Sequence, residues 1–298
     1  MHIWTVTDPF LPKLRCQLGE GPYYEPATDS VRFVDIKGNC LHTVYLATKT
    51  LNTLPLATRV TVTADIAGVD PAQTILVGAK HGLAKLHRKT GELEYLAPLT
   101  EQQNERLRPN DGAVGPDGRF WLGYMTDFGQ GDFRPEGGLV TYAHGQRERH
   151  LPSLPITIPN TIGWSPDTST MYFTHSSARQ VFAFNYNAAQ HSYSSQRIFY
   201  THGGTGEPDG FRIDTEGNMW HAVYGEGKVL KIAPNGEVVG EVCLPTRNVT
   251  CVQFVDSKLF ITTAADEDSG DEKSMEFGGA VFMVEVGAQG LKPFEYKL

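Results

Sequence analysis

The sequence predicts an all-β fold, specifically a six-bladed β-propeller, and three observations carry that prediction. Short runs of alternating apolar and polar residues recur along the chain, whereas the 3.6-residue period of long amphipathic helices is absent. The 31 glycines and 18 prolines are spread evenly among 298 residues, which is typical of many tight turns between short strands. The same short unit also recurs at a nearly constant spacing.

Each recurring unit has a loop residue, an alternating strand, a turn rich in Asp, Gly or Asn, and an apolar or aromatic second strand. The units begin near Glu20, Ile66, Asn110, Asn160, Asp209 and Thr250. Their second strands are marked by Phe33, Leu76, Trp121, Tyr172, Trp220 and Phe260, at intervals of 43, 45, 51, 48 and 40 residues. Four-stranded propeller blades recur at about 40–50 residues, so the period predicts six blades.

We expect residues 1–298 to form a single propeller domain, because no low-complexity linker divides the chain. A propeller protects its sheet edges by closing the ring. Residues 3–6 near the N-terminus are therefore expected to pair with residues 280–285 in the last sheet. The alternative is a pair of β-sandwiches, which would not require the units to keep a common phase.

Composition and charge narrow the functional classes. A formal net charge of −8 argues against a general nucleic-acid binder, which needs clustered Lys and Arg. Neither a signal peptide nor an apolar run of about 20 residues is evident, so we expect a cytoplasmic protein that does not bind membranes. The four cysteines lack C-x-x-C pairing and are expected to be reduced and mostly buried: Cys16, Cys40, Cys243 and Cys251. The sequence does not indicate an oligomeric state.

Four polar residues lie at a nearly constant distance before the second strand of their unit. Glu20, Asn110, Asn160 and Asp209 lie 11 to 13 residues before the marker of their unit. In a propeller this position is the end of the innermost strand, so these side chains should meet at the central channel. Two carboxylates and two amides form a ligand set suited to a hard divalent cation.

The chain resembles the gluconolactonase/regucalcin (SMP-30) family. The resemblance rests on the ordered motifs LGEGP at residues 18–22, RPNDG at 108–112, PNTIGWSPD at 159–167 and PDG at 208–210, and it extends to GGAVFM at 278–283. It implies a six-bladed propeller that hydrolyses sugar lactones to aldonic acids with one divalent metal ion. Calcium is the first expectation for that ion, with magnesium, manganese, zinc or iron as alternatives.

The resemblance also implies roles for individual residues. Glu20, Asn160 and Asp209 match the family's metal ligands, whereas Arg108 and Asn110 match its substrate-contacting residues. Asp111 lies beside them and is expected to orient them within the substrate-binding set. Two departures from the family pattern add substrate-binding candidates: Tyr124 replaces a common threonine, and Asp127 stands near the position where some members carry a glutamate. His175 also departs from the family, which usually has Asp at this position.

The predicted reaction is hydrolysis of a small-molecule sugar lactone, with the metal polarising the lactone and Asp209 accepting a proton from the attacking water. No G-x-S-x-G elbow of a serine hydrolase competes with it. Two alternatives remain open: a calcium-binding propeller without catalysis, and an organophosphate or ester hydrolase that uses the same metal. The acidic segment at residues 265–278 fails the calcium-loop pattern and is expected to be a mobile surface loop.

Overall fold

The computed structural model describes residues 1–151 and 154–298 and consists mainly of β-strands in six sheets. Within each sheet, consecutive strands pair antiparallel, most of them through short turns; long connections join β11 to β12 and β23 to β24. The innermost strands contact one another in a closed cycle, from the first sheet through the sixth and back to the first. The predicted six-bladed propeller is therefore confirmed.

The strands are short, as the turn-rich sequence predicts. Strand β1 (His2–Thr5) precedes the first blade. Blade one contains β2 (Gly19–Glu25), β3 (Ser30–Asp35), β4 (Cys40–Tyr45) and β5 (Thr50–Pro55); blade two contains β6 (Val60–Ala64), β7 (Thr74–Ala79), β8 (Gly82–His87) and β9 (Leu93–Pro98). Blade three contains β10 (Leu107–Val114), β11 (Phe120–Thr126), β12 (Gly138–Ala143) and β13 (Gln146–His150); blade four contains β14 (Pro159–Trp164), β15 (Thr170–His175), β16 (Gln180–Asn187) and β17 (Ser192–Thr201). Blade five contains β18 (Glu207–Ile213), β19 (Met219–Tyr224), β20 (Lys228–Ile232) and β21 (Val238–Cys243); blade six contains β22 (Val249–Val255), β23 (Lys258–Thr263) and β24 (Phe282–Glu285).

The turn between β18 and β19 shows how the sequence sets a hairpin. Gly217 has a φ of 87°, a left-handed conformation that glycine adopts without steric cost. The Asp214 carboxylate accepts hydrogen bonds from the backbone N–H of Glu216 and Asn218 at 3.0 and 2.8 Å. It also accepts one from Trp220 Nε1 at 2.9 Å. The Asp214 carboxylate in the turn thus fixes the orientation of Trp220 on the next strand.

The core lies between blades. All six marker residues lie on second strands, at β3, β7, β11, β15, β19 and β23, as the period predicts. Apolar clusters combine side chains from neighbouring blades; for example, Trp220 of blade five packs with Phe254 and Phe282 of blade six. Burial of these side chains removes apolar surface from water, and this is the main force that holds adjacent blades together.

The predicted pairing of residues 3–6 with the last sheet is wrong. Strand β1 instead pairs in parallel with β21, so blade five has five strands and blade six has three. The reason lies in packing, because the Trp4 ring lies 5.1 Å from the Trp220 ring and fills the space above Gly240, where a Cβ would lie 2.8 Å from it. Blades one and six meet directly, and Thr250 Oγ1 donates to the Gly19 carbonyl at 2.6 Å.

Each innermost strand carries a register shift at the same position. The shifts lie between Glu20 and Tyr23, Val60 and Val62, Pro109 and Gly112, Pro159 and Ile162, Pro208 and Phe211, and Val249 and Cys251. Such bulges bend a strand and redirect a side chain, and here they occur at the predicted site residues. In blade two the inner strand is β6, so the start near Ile66 expected from the sequence is too late.

The acidic segment, expected from the sequence to be a surface loop, is partly helical. It contains the short helix α1 (Glu272–Phe277), whose first turn is capped by the Asp271 carboxylate through the backbone N–H of Lys273 and Ser274. A single-turn 3₁₀-helix at Ser176–Ala178 follows β15. Of the helices in the described ranges, none has the length and apolar character needed to cross a membrane.

Candidate metal and substrate site at the channel mouth

A cavity of about 650 Å³ lies at one end of the central channel. Five of the predicted site residues line it: Glu20, Arg108, Asn110, Asn160 and Asp209. They come from the inner strands of blades one, three, four and five, each at or beside the bulge of its strand. The shared phase seen in the sequence therefore does bring these side chains to one place.

Asn160 and Asp209 are directly bonded. Asn160 Nδ2 donates a hydrogen bond to Asp209 Oδ1 and another to Ser176 Oγ at 3.2 Å. Asn160 Oδ1 accepts from the backbone N–H of Thr161 at 2.9 Å, which leaves one of its two lone pairs free. Among the residues that the structure describes, Glu20 Oε2 likewise accepts a single backbone N–H, that of Gly21, at 2.8 Å. Both side chains can still offer an oxygen to a cation.

The two carboxylates carry an unfavourable charge arrangement. Burial raises the pKa of Glu20 well above its usual value, and the negative charges of Asp209 and Asp111 raise it further. Burial likewise raises the pKa of Asp209, with additional contributions from Asp111 and Glu207, although the Asn160 hydrogen bond opposes them. Within residues 1–151 and 154–298, neither carboxylate forms an ion pair with Lys, Arg or His. Arg212 lowers the pKa of Glu20 and Arg108 lowers that of Asp209, but neither offsets the effect of burial, and buried charge without a direct ion pair is costly.

A divalent cation fits this arrangement. Glu20, Asn160 and Asp209 would supply two carboxylates and an amide oxygen, the ligand type that hard cations prefer. A cation among them would also neutralise the facing negative charges that raise the two pKa values.

The backbone beneath Asp209 is held by a buried histidine. His221 Nε2 donates to the Asp209 carbonyl at 3.0 Å, and Thr174 Oγ1 lies 3.3 Å from the same nitrogen. Burial lowers the pKa of His221 to about 3, so the ring is neutral at physiological pH. It positions the bulge at Asp209 and does not face the cavity.

Arg108 and Asn110 form a second polar wall of the cavity. Arg108 Nη1 donates to Asn110 Oδ1 at 2.8 Å, and Asn110 Nδ2 donates to the Pro159 carbonyl at 2.8 Å. The guanidinium also lies 4.2 Å from the Phe128 ring centroid, a cation–π distance. Burial lowers the pKa of Arg108 to about 10, so it remains charged at neutral pH. These contacts hold both side chains in fixed orientations.

The cavity lining does not include Asp111, Tyr124 or Asp127, so substrate contact by Tyr124 and Asp127 stays a prediction that this geometry does not support. Asp111 is buried one residue past Asn110 and accepts hydrogen bonds from Thr161 Oγ1 and the Gly112 N–H. Tyr124 packs in the core between blades two and three, because successive strand residues face opposite sides and its neighbour Met125 takes the cavity side.

Asp127 lies behind the cavity wall and compensates cations there. Its Oδ2 accepts from Lys80 Nζ at 2.6 Å and Arg59 Nη1 at 3.1 Å. Its Oδ1 lies 3.8 Å from Arg108 Nε. Asp127 therefore supports Arg108 from behind, and no contact between Asp127 and substrate is expected from this geometry.

Several residues that line the cavity were not predicted from the sequence. Glu207 precedes Asp209 by two residues on β18, and Ser176 lies where β15 ends. The period-2 pattern of β18 could have indicated Glu207, but the bulge obscured it. Residues 264–269 of the acidic segment form another wall, where Asp266 accepts from Ser274 Oγ and pairs with Arg247 at 3.3 Å. His175 lies outside the cavity, and its Nε2 accepts from the Thr157 N–H at 3.1 Å.

Fold and site together define a six-bladed propeller in which side chains with carboxylate and amide oxygens meet at the mouth of the channel. The family model described as the SMP-30/Gluconolactonase/LRE-like region matches residues 18–265, and the chain belongs to this family.

Similar proteins cover almost the whole chain. A pentonolactonase from Haloferax volcanii is 30% identical over 298 residues, covering 94% of each chain. An L-arabinolactonase from Azospirillum brasilense is 28% identical over 283 residues, covering 94% of this chain and 92% of the relative. The crystal structure of a calcium-binding protein, regucalcin, from Agrobacterium tumefaciens superposes with a TM-score of 0.90 at 26% identity over the full length of both chains.

Proposed function

We propose that this protein hydrolyses sugar lactones to aldonic acids and uses one divalent metal ion to do so. Relatives named as lactonases support a hydrolase of the carboxylic ester class. The observation that carries the proposal for this chain is the pairing, in one cavity, of two buried carboxylates whose pKa values are raised with a fixed Arg–Asn wall. The carboxylates suit a metal ion, and the wall suits a polyhydroxylated substrate.

Glu20, Asn160 and Asp209 would hold the ion. When bound, a divalent cation acts as a Lewis acid that polarises a carbonyl oxygen and stabilises negative charge developing in the transition state. Calcium is favoured because every donor is an oxygen, while magnesium, manganese, zinc and iron remain candidates.

Arg108 and Asn110 would bind and orient the substrate. A guanidinium presents several N–H donors in a fixed plane, which matches neighbouring oxygens of a sugar. Because Arg108 already donates to Asn110 and stacks on Phe128, little rotamer freedom remains to be lost on binding. The apolar side chains of Met125, Phe128 and Ile158 face the same cavity and would cover the carbon skeleton.

Asp209 would accept the proton of the attacking water. The water oxygen forms a bond to the lactone carbonyl carbon, and one water proton passes to the Asp209 carboxylate. The ring C–O bond then breaks, and the departing ring oxygen takes that proton to become a hydroxyl group. A bound metal ion would lower the pKa of Asp209, so the proposal for this step rests on the position of the carboxylate in the cavity and not on its raised pKa in the metal-free protein.

The test is a panel of five- and six-membered sugar lactones, with hydrolysis followed by proton release. Metal-free protein should show no rate above the spontaneous reaction, and addition of one suitable metal should restore turnover. Asp209→Asn protein with metal restored should be nearly inactive, whereas Glu276→Gln, an exposed charge removal on α1, should retain activity. Wild-type rates in Asp209→Asn would refute the proposed role.

The second candidate function is calcium binding without catalysis. It is favoured by the close match to a structure described as a calcium-binding regucalcin. The two functions differ in one outcome: metal-loaded protein that binds calcium but opens no lactone faster than free metal would support the second. An organophosphate or ester hydrolase is less well matched, because the Arg108–Asn110 wall favours hydroxyl groups over an apolar ester.

A further inference from the structure

Four side chains with metal-binding chemistry meet at one end of blade one, outside the cavity lining. They are Cys16, in the segment before β2, Asp35 at the end of β3, and Cys40 and His42 on β4. The ligand atoms of Cys16, Asp35 and His42 all lie within 4.8 Å of one another. These three residues are only 1%, 5% and 6% exposed.

Cys40 is a candidate fourth donor beside this group, through its contact with His42. Its Sγ lies 3.3 Å from His42 Nε2, and the residue is half-buried, which gives the cluster access to solvent. His42 Nδ1 lies 2.9 Å from Thr53 Oγ1. When Nδ1 donates to that hydroxyl, Nε2 is left unprotonated and faces the sulfur atoms. Histidines that bind metals are typically oriented by such a bond from the other ring nitrogen.

The carboxylate of Asp35 is held rigidly by the backbone. Its Oδ1 accepts from the N–H groups of Leu18 and Gly38 at 3.0 and 2.9 Å, and its Oδ2 accepts from the Gln17 N–H at 2.8 Å. Oδ2 therefore has a lone pair available. Carboxylate ligands of metals are commonly fixed by hydrogen bonds in this way.

We propose that Cys16, Asp35, Cys40 and His42 form a second metal site, which binds zinc or a similar thiophilic ion. Two sulfurs, one imidazole nitrogen and one carboxylate oxygen are a donor set that zinc takes in four-coordinate sites. Zinc bonds of about 2.0–2.3 Å place tetrahedral ligand atoms about 3.3–3.8 Å apart, so the ligand atoms of Cys16, Asp35 and His42 need to approach one another by up to about 1.5 Å. The ligands at the channel mouth contain no sulfur, so the two sites select different ions.

A metal here would connect separate parts of the chain. The Cys16 N–H donates to the Gly279 carbonyl of the segment before β24 at 2.7 Å, so Cys16 lies at the junction of blades one and six. Bound metal would link this segment to β3 and β4. The site would therefore stabilise the closure of the ring, close to the isolated bridge between Leu18 and Ala264 that joins blades one and six.

The test uses cobalt(II) as a spectroscopic probe in the full-length protein, with the channel site first saturated with calcium. Thiolate ligation gives an intense sulfur-to-cobalt charge-transfer band, and one equivalent of zinc should abolish it. We expect this band in wild-type protein and in Asp209→Asn, but not in Cys16→Ser/Cys40→Ser. Cys243→Ser, which removes a thiol on blade five, is the matched control and should retain the band.

A second measurement covers the case in which the double variant does not fold. In wild-type protein, zinc should raise the Tm and slow the alkylation of two of the four thiols, and His42→Gln should weaken both effects. Absence of a charge-transfer band in wild-type protein would overturn the proposal. So would zinc protection limited to Cys243 and Cys251, or a band that persists at full intensity in the double variant.

Discussion

Replacing Asp209 with asparagine should stabilise the metal-free protein while destroying its response to metal. The substitution keeps the shape of the side chain, and the new amide oxygen can still accept the hydrogen bond from Asn160 Nδ2. What changes is the charge. Asp209 raises the pKa of Glu20, and Asp111 and Glu207 raise the pKa of Asp209, so the folded metal-free protein contains mutual repulsion that the substitution removes.

The substitution should change the stability of the metal-free protein and the activity of the metal-loaded protein by different amounts. Single substitutions that relieve unfavourable charges commonly add about 0.5–2 kcal/mol of stability. For 298 residues, an unfolding entropy of about 2.1 cal/mol/K per residue makes 1 kcal/mol correspond to about 1.6 °C, so the Tm of metal-free Asp209→Asn should rise by about 1–3 °C. Activity should move in the other direction, because loss of a general base lowers the rate by about 10²–10⁴-fold.

The assay is thermal unfolding of chelator-treated protein, repeated across a calcium titration. Wild-type Tm should rise with calcium concentration, as expected for a ligand that binds only the folded state, while Asp209→Asn should start higher and respond little. Glu276→Gln should match wild type in both respects. A metal-free Asp209→Asn protein that melts below wild type, or one that retains the full calcium response, would refute the reasoning.

Four further predictions follow from the same structure. In metal-free protein, the folded state raises the pKa values of Glu20 and Asp209 above those of the unfolded chain. The contribution of these two groups to stability is therefore fully present below about pH 4 and is lost as the pH rises through their raised pKa values. The Tm of Asp209→Asn should accordingly exceed that of wild type by a margin that grows from about pH 4 to pH 7. Arg108→Lys should raise KM for a lactone about 10- to 100-fold, because one or two charge-assisted hydrogen bonds worth about 1.5–3 kcal/mol are lost; an unchanged KM would contradict a role in substrate binding. Gly210→Ala should lower stability by about 1–3 kcal/mol, because the new Cβ would lie 2.6 Å from Cys251 Cβ, while Gly203→Ala, with no atom within 4 Å, should have little effect in the same denaturant titration. Calorimetry should show a single unfolding transition if residues 1–298 form one domain, and two separated transitions would contradict it.

Much of the fold could be predicted from local pattern. The second-strand markers repeat because every blade buries the same strand position, and this made the blade number visible in the sequence. The inner strand of blade two was placed too late in the sequence. The position equivalent to Asn110 and Asp209 is occupied there by Thr61, which has neither a charge nor an amide to mark it. Strand β1 was misplaced because its partner is selected by the contact between Trp4 and Trp220, which only the folded protein reveals.

The common location of the candidate metal-binding residues was predicted more fully than the walls of the cavity. Glu20, Asn160 and Asp209 stand in phase, so the repeat itself brought them together. Tyr124 and Asp127 were assigned by position in a motif, but the alternation of β11 turns Tyr124 into the core, and the cations Lys80 and Arg59 hold Asp127 behind the wall. The contribution of residues 264–269 depends on a segment that crosses the channel mouth, and no local pattern encodes that path.

The central claim is that Glu20, Asn160 and Asp209 bind one divalent metal ion beside the Arg108–Asn110 wall. Anomalous diffraction from crystals grown with manganese and an aldonic acid product tests it most directly. We predict one anomalous peak bounded by oxygens of all three residues, with product hydroxyls at Arg108 and Asn110. A cavity without a peak, or a peak that avoids Glu20 and Asp209, would contradict the account.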